Sequence, residues 1–333
     1  MPRPLIRLAQ LYAIGLIALT AIGCVNAHAD GPLREFLKLR RSQSAPAGGT
    51  AEYSVEVGGV VRRYLVHVPA SYDPARPAPL VLALHGGGGD MQHMAKDEHY
   101  GIVGKSDRAG FIVAFPNGTG AMGDKFATWN AGACCGKARD ARVDDVAFVR
   151  ALVADLQKRY AIDGTRVFAM GMSNGGMMSH RLACEAADLF AAIASIAGTD
   201  NTLACAPARP IPVLHIHARN DDHVLFEGGA GPGAFRDESK VTQFVSVPQT
   251  ISNWVARNNC RGAAREVLAV PGARCEVHDG CTGNSRVELC VTEDGKHSWP
   301  GGGVTTLSRQ QPSQAINAND VIWDFFQSVT ARR

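Results

Sequence analysis

From Tyr53 to Val68 apolar and polar positions largely alternate, with an interruption at Gly58-Gly59. Period-two alternation marks a strand with one buried face, and paired glycines supply the positive φ angles of a two-residue turn. Residues 53–68 are therefore predicted to form a β-hairpin. Beyond it the pattern changes to short apolar runs at 80–84, 111–115, 167–170, 191–196, 213–216 and 287–291. Such runs suit strands of a mostly parallel sheet, buried on both faces. Between them, Val146, Val149, Leu152, Val153, Leu156 and Tyr160 recur at spacings of three and four, which predicts an amphipathic helix over 145–160 facing that sheet. Asp144 and Asp145 fall at its N-cap and first turn, where carboxylates accept from free amides and oppose the helix dipole. A metal or acid–base pair is the rival reading of these two residues. Residues 321–326 predict a last helix docked on the sheet. Strands alternating with helices imply a doubly wound α/β fold with right-handed crossovers.

Length and composition allow this to be one domain: 333 residues, 46% hydrophobic and 20% charged, bury one sizeable core. The net charge of +3 comes from scattered residues, 34 basic and 31 acidic, so no footprint for nucleic acid is expected. At the N-terminus Arg3 and Arg7 precede an apolar run over 11–22 and the small-residue site Ala27-His28-Ala29. That pattern predicts a signal peptide over 1–29, cut before Asp30, and a secreted protein, extracellular or periplasmic. The run is shorter than the roughly 20 apolar residues that span a bilayer. Ala21-Ile22-Gly23-Cys24 offers a second reading, a lipoprotein site, and membrane contact is expected only if Cys24 is acylated. Residues 30–50 lack periodicity and are expected to be a disordered lead-in to the α/β domain, which is placed over 51–330.

Without Cys24, eight of the nine cysteines remain, an even number that in an exported chain predicts disulfides. The short loops Cys184–Cys205 and Cys275–Cys281 are the preferred pairs, and whether Cys134 joins Cys135 stays open. No pair of Cys-x-x-Cys knuckles at zinc spacing occurs, so no metal is expected.

Gly171-Met172-Ser173-Asn174-Gly175 directly follows the run at 167–170 and precedes a helical segment. A serine on a sharp strand-to-helix turn needs neighbours without side chains two residues away on either side, and this is the context of a nucleophile elbow. Separately, His85-Gly86-Gly87-Gly88-Gly89 follows the run at 80–84. Acyl transfer passes through a tetrahedral oxyanion that preorganised amides stabilise. The expected donors are the N–H of Asn174 and that of Gly87 or Gly88. A phosphate-binding loop is the competing reading, but neither the Gly-Lys-Ser/Thr ending nor the dinucleotide glycine spacing is present. Elbow enzymes carry their acid and then their base after the serine. Asp221, with Asp222 as its competitor, follows the run at 213–216, and His297 follows the run at 287–291. His215 and His217 sit in or beside a buried-looking run, where packing or a local hydrogen bond is the better reading. His85 is expected to brace the glycine loop.

Leu84-His85-Gly86-Gly87, Trp129-Asn130-Ala131-Gly132-Ala133-Cys134-Cys135-Gly136, Val143-Asp144-Asp145-Val146, Gly171-Met172-Ser173-Asn174-Gly175-Gly176 and His297-Ser298-Trp299-Pro300-Gly301 together resemble the secreted polyhydroxybutyrate depolymerase or LpqC-like esterases. These are α/β-hydrolases related to feruloyl and acetylxylan esterases, and the resemblance runs from about Tyr53 to Phe326. It implies a triad of Ser173, Asp221 and His297, no cofactor, and a pocket bordered by the Trp129 and Trp299 loops. Its substrate would be an ester: polyhydroxybutyrate or its oligomers, with a feruloyl or acetyl ester of plant polysaccharide as the alternative. The family's usual Gly-Thr-Ala-Asp run reads Ala218-Arg219-Asn220-Asp221 here. A peptidase of the same fold and a non-catalytic binding protein are the readings from other classes.

Overall fold

The computed structural model describes residues 45–120, 125–234, 243–305 and 309–330. The predicted leader at 1–29, Cys24, and the lead-in up to residue 44 lie outside the described residues. Every described element belongs to the unit Gln43–Arg333. The chain is already packed at Ala45, inside the predicted lead-in: it is buried, and its N–H donates to the hydroxyls of Tyr53 and Tyr160.

The predicted hairpin forms from β1 (Thr50–Val57) and β2 (Val60–His67). Val57 pairs with Val60 across Gly58 and Gly59, whose φ angles of 57° and 78° only glycine adopts freely. The apolar runs become β3 (Ala78–Leu84), β4 (Ile112–Pro116), β5 (Ile162–Met172), β6 (Ala192–Ile196), β7 (Val213–Ala218) and β10 (Val287–Thr292). The remaining strands are β8 (Arg265–Val270) and β9 (Ala273–His278), a hairpin the sequence pattern does not announce. The sheet order is β1-β2-β4-β3-β5-β6-β7-β10-β9-β8. The central run from β4 to β10 is parallel, and an antiparallel pair closes each edge.

Both faces of the sheet are covered. On β3, Leu80, Leu82 and Leu84 join one core cluster while Val81 and Ala83 join the other, as period two requires. The first cluster holds α2 (Asp145–Arg159), α3 (Asn174–Glu185) and α4 (Val247–Arg257); the second holds α1 (Ile102–Ala109) and α5 (Ala318–Thr330). All six periodic residues of 145–160 are buried in the first cluster. Asp144 caps α2 by accepting from the N–H of Ala147 at 2.9 Å.

Four disulfides tie the fold: Cys134–Cys135, Cys184–Cys205, Cys260–Cys281 and Cys275–Cys290. The predicted Cys275–Cys281 pair is not formed. Cys275 stands directly opposite Cys290 in the β9–β10 register, and Cys281 meets Cys260 just past the end of α4.

Because β3, β5, β7 and β10 run parallel, their carboxyl ends reach one edge of the sheet. The glycine loop, Ser173, Asp221 and His297 follow these four ends in turn. That edge is where open α/β sheets gather ligand-binding residues.

Candidate active site

β5 ends at Met172 and α3 starts at Asn174, so Ser173 alone makes the turn. It takes φ 55° and ψ −120°, a conformation a residue with a side chain keeps only when its surroundings impose it. Here they do. The Ser173 N–H donates to Ile196 O at 2.7 Å, and the Ser173 carbonyl accepts from Met177 N at 2.9 Å. The flanking glycines are required sterically: a Cβ on Gly171 falls 2.4 Å from the Gly175 carbonyl, and one on Gly175 falls 2.3 Å from Leu84 O.

After β3 the glycine loop folds against this turn, with a Cβ on Gly87 only 3.7 Å from Asn174 Cβ. Gly88 N–H is committed to Ala127 O and Gly89 N–H to Gly86 O. Of the two expected loop donors, Gly87 therefore keeps its amide available, since among the described residues it has no acceptor. His85 is fully buried and braces the loop as expected: its Nδ1–H donates to Gly86 O at 2.8 Å, and its Nε2 accepts from Gly118 N at 3.0 Å. Burial pulls its pKa down to about 4, so the ring is neutral.

Trp129 departs from expectation. Its indole is fully buried beneath the loop, packed on the His85 ring at 4.9 Å with Nε1–H donating to His85 O. Thr128 and Cys135 of the same segment line the cavity instead. Asn174 clamps this segment by accepting from Trp129 N at 2.7 Å and donating to Trp129 O at 3.1 Å. Asp145 is also more than a first-turn carboxylate. It is fully buried, bound to Arg62 Nη2 at 2.8 Å, and accepts from Asn130 N at 2.8 Å. Burial raises its pKa while the Arg62 charge opposes the rise. Removing one member of a buried pair strands the other, at a cost of about 3–5 kcal/mol. Asp145→Ala is thus expected to lower the melting temperature by about 10 °C. Calorimetry checks this; an unchanged melting temperature would show that the pair bears no structural load.

Asp221 and His297 meet across β7 and β10. His297 Nδ1 lies 2.9 Å from Asp221 Oδ2 and 3.1 Å from Oδ1, with both residues buried. Asp221 Oδ1 also accepts from the backbone N–H groups of His223 and Val224, and Oδ2 lies 3.3 Å from His217 Nε2. Burial alone would raise the carboxyl pKa, but His297 and His217 outweigh it and hold it far below the carboxylate range. Asp222 binds elsewhere, to His223 Nδ1 at 2.7 Å and to Gln310. Asn220, the departure from the family's pattern, accepts from Lys296 N at 2.9 Å and so ties the acid loop to the His297 loop.

Ser173 and His297 line one cavity of about 380 Å³, within the range of small-molecule sites. Among the described residues no hydrogen bond joins their side chains; in free enzymes such bonds are often long and tighten on substrate. Gly87 and Asn174 also line it, as do Met172, Met177, Tyr100, Phe244 and Trp299. Trp299 packs edge-to-face on Tyr100 at 5.6 Å. His223, which no flanking pattern recommended, stacks on His297 at 4.5 Å.

The prolyl oligopeptidase family, peptidase S9, matches residues 105–210, the stretch that contains the elbow. Feruloyl esterase B of Piromyces equi is 30% identical over 71% of this chain, which spans 42% of that protein's length. The putative esterase NocK of Nocardia uniformis subsp. tsuyamanensis is 33% identical over 81% of this chain and 79% of its own. Among solved structures, an acetyl xylan esterase from Aspergillus awamori superposes with a TM-score of 0.54 at 13% identity, covering 83% of this chain and 99% of the other, which speaks for the fold. With that fold, a serine on a strained strand-to-helix turn and an esterase relative matched over most of both chains, the chain belongs to the esterases of the α/β-hydrolase family.

Proposed function

We propose that the protein is a serine carboxylic-ester hydrolase acting through an acyl-enzyme on acylated saccharides, with hydroxycinnamoyl esters as its preferred substrates. The observation that carries the reading is the shared cavity: strained Ser173 opens into the space lined by His297, whose Nδ1 is held by buried Asp221. His297 Nε2 takes the Ser173 proton as Oγ attacks the ester carbonyl, and the carbonyl electrons move to an oxyanion held by the N–H groups of Gly87 and Asn174. The proton then passes to the leaving alkoxide. Water activated by the same imidazole hydrolyses the acyl-enzyme, restoring Ser173 and releasing the acid. These residues supply every step, so no metal or organic cofactor is needed.

Substrate choice rests on the cavity wall and the relatives. Tyr100, Trp299 and Phe244, with the thioethers of Met172 and Met177, make a surface suited to a flat aromatic acyl group. The feruloyl esterase among the relatives supports the same substrates over polyhydroxybutyrate. The four disulfides, together with the predicted leader, support export to an oxidising compartment.

The test is kcat/KM of purified protein on methyl ferulate, acetylated xylan, short 3-hydroxybutyrate oligomers and a prolyl anilide. Methyl ferulate is expected to exceed the oligomers by at least about tenfold, the scale on which one good aromatic contact discriminates. Faster cleavage of the oligomers would return the substrate to the polyester reading, and cleavage of the anilide above all esters would make the protein a peptidase.

A further inference from the structure

Three histidines that the ester chemistry does not use stand in single file behind Asp221. His180 comes from α3, and His215 and His217 from one face of β7; Trp254 of α4 closes the far end. None of the four is more than 1% exposed. Three imidazoles in such a place are costly unless every ring nitrogen has a partner, at about 1–3 kcal/mol for each one left unpaired. Here each has one. Trp254 Nε1 meets His180 Nδ1 at 2.9 Å, and His180 Nε2 meets His215 Nδ1 at 3.4 Å. His215 Nε2 meets His217 Nδ1 at 3.1 Å, and His217 Nε2 meets Val224 O at 2.8 Å and Asp221 Oδ2 at 3.3 Å.

The protons in this file are not free to choose. An indole N–H only donates, so His180 Nδ1 accepts and its proton sits on Nε2. That forces His215 to accept at Nδ1 and donate from Nε2, and His217 likewise. From the other end a carbonyl and a carboxylate only accept, which demands the same polarity. Both ends therefore fix one arrangement, each ring carrying its proton at Nε2, with dipoles aligned head to tail and the last N–H donated to Val224 O beside the acid, whose Oδ2 lies 3.3 Å from the same nitrogen. Burial favours the neutral form, pulling the pKa of His180 down to about 4 and that of His215 well below its usual value. The charged neighbours are Asp200 and Arg257, paired with each other near His180, and Asp221 near His215.

We propose that Trp254, His180, His215 and His217 form a unidirectional hydrogen-bond wire whose last member, His217, is a positioning residue for Asp221. The inference rests on the reading of Asp221 and His297 as acid and base. Two backbone amides hold Oδ1 and His297 Nδ1 meets Oδ2 at 2.9 Å, while His217 Nε2 stands 3.3 Å from that same Oδ2, close enough for its protonation to matter there. A His217 able to flip its tautomer would aim a lone pair at that oxygen in part of the molecules. The wire removes that state, so Oδ2 stays in place for His297 Nδ1.

The test has two independent readouts. Long-range proton–nitrogen NMR of the histidine-labelled protein should show His180, His215 and His217 all protonated at Nε2 and free of a proton at Nδ1, with His180 and His215 unchanged from pH 8 to about 5. An Nδ1–H tautomer at any of the three overturns the proposal whatever the activity. In kinetics, His217→Phe is expected to lower kcat about tenfold with KM within about twofold, the worth of one charge-assisted hydrogen bond felt only in the chemical step. His217→Gln, which keeps an N–H donor beside Val224 O and Oδ2, should recover most of the loss. Equal activity in the two variants, or a loss confined to KM, refutes the positioning role. If His217→Phe fails to fold, Trp254→Phe supplies the same comparison at the distant anchor, read as mixed tautomers by NMR. His297→Ala separates the two levels: retained activity there fails the acid–base reading and leaves the tautomer result standing.

Discussion

Ser173→Ala is expected to abolish turnover of methyl ferulate, lowering kcat by about a millionfold, the scale seen when the nucleophile of a serine, base and acid unit is removed. The fold should survive, because the turn is held by the backbone: Ser173 N–H on Ile196 O, Ser173 O on Met177 N, and glycines wherever a Cβ would collide. Alanine takes the same φ of 55° at a cost close to that of serine. Circular dichroism and melting temperature should match the wild type. Acid-quenched wild-type enzyme should carry the acyl mass on the peptide containing Ser173, and the variant should carry none. A variant that keeps turnover would mean that another group attacks the ester. The residual rate above water reports what the Gly87 and Asn174 amides contribute alone.

Chain order and local sterics explain how much of this site the sequence discloses. A strand, a serine flanked at two residues by glycine, and a helix are contiguous, so Gly171 to Gly175 announces its own geometry. Asp221 and His297 are legible because parallel strands bring consecutive loops to one edge, and the order serine, acid, histidine then limits the search. The choice between Asp221 and Asp222 is not local. It is decided by the β7–β10 register, which sets Thr292 beside Ala218 and so brings the His297 loop to Asp221.

Elements that depend on distant partners are less legible. β8 is exposed along nearly its whole length and carries no alternation to reveal it. Without the β8–β9 hairpin the Cys275–Cys290 pairing cannot be inferred, since only the antiparallel register sets these residues opposite each other. Trp129 is placed at the pocket only by the family resemblance; its indole is buried instead, with its N–H donated to the His85 carbonyl. The wire is harder still to see in one dimension. His180, His215 and Trp254 lie 35 and 74 residues apart counted from His180, and each alone reads as a core residue.

Asp221→Asn should be the most informative single-atom change, with an expected loss in kcat of about 10⁴. The substitution keeps shape and removes charge, and the surrounding donors dictate how the amide sits. The N–H groups of His223 and Val224, at 2.8 and 3.0 Å, require an acceptor at the Oδ1 position, so the carboxamide oxygen goes there. The NH2 group must then face His297 Nδ1 and His217 Nε2. His297 can meet it only by accepting, which moves its own proton to Nε2 and leaves no lone pair to take the proton of Ser173. The histidine thus stays in place in the wrong tautomer, and burst kinetics should show slow acylation with KM little changed. Asp222→Asn is the matched control. That carboxylate bonds His223, Gln310 and Lys296 at the cavity margin and not His297, so its loss should cost less than about tenfold. Equal losses from the two substitutions would mean that the orienting acid is not Asp221, and would remove the basis for placing His217 behind it.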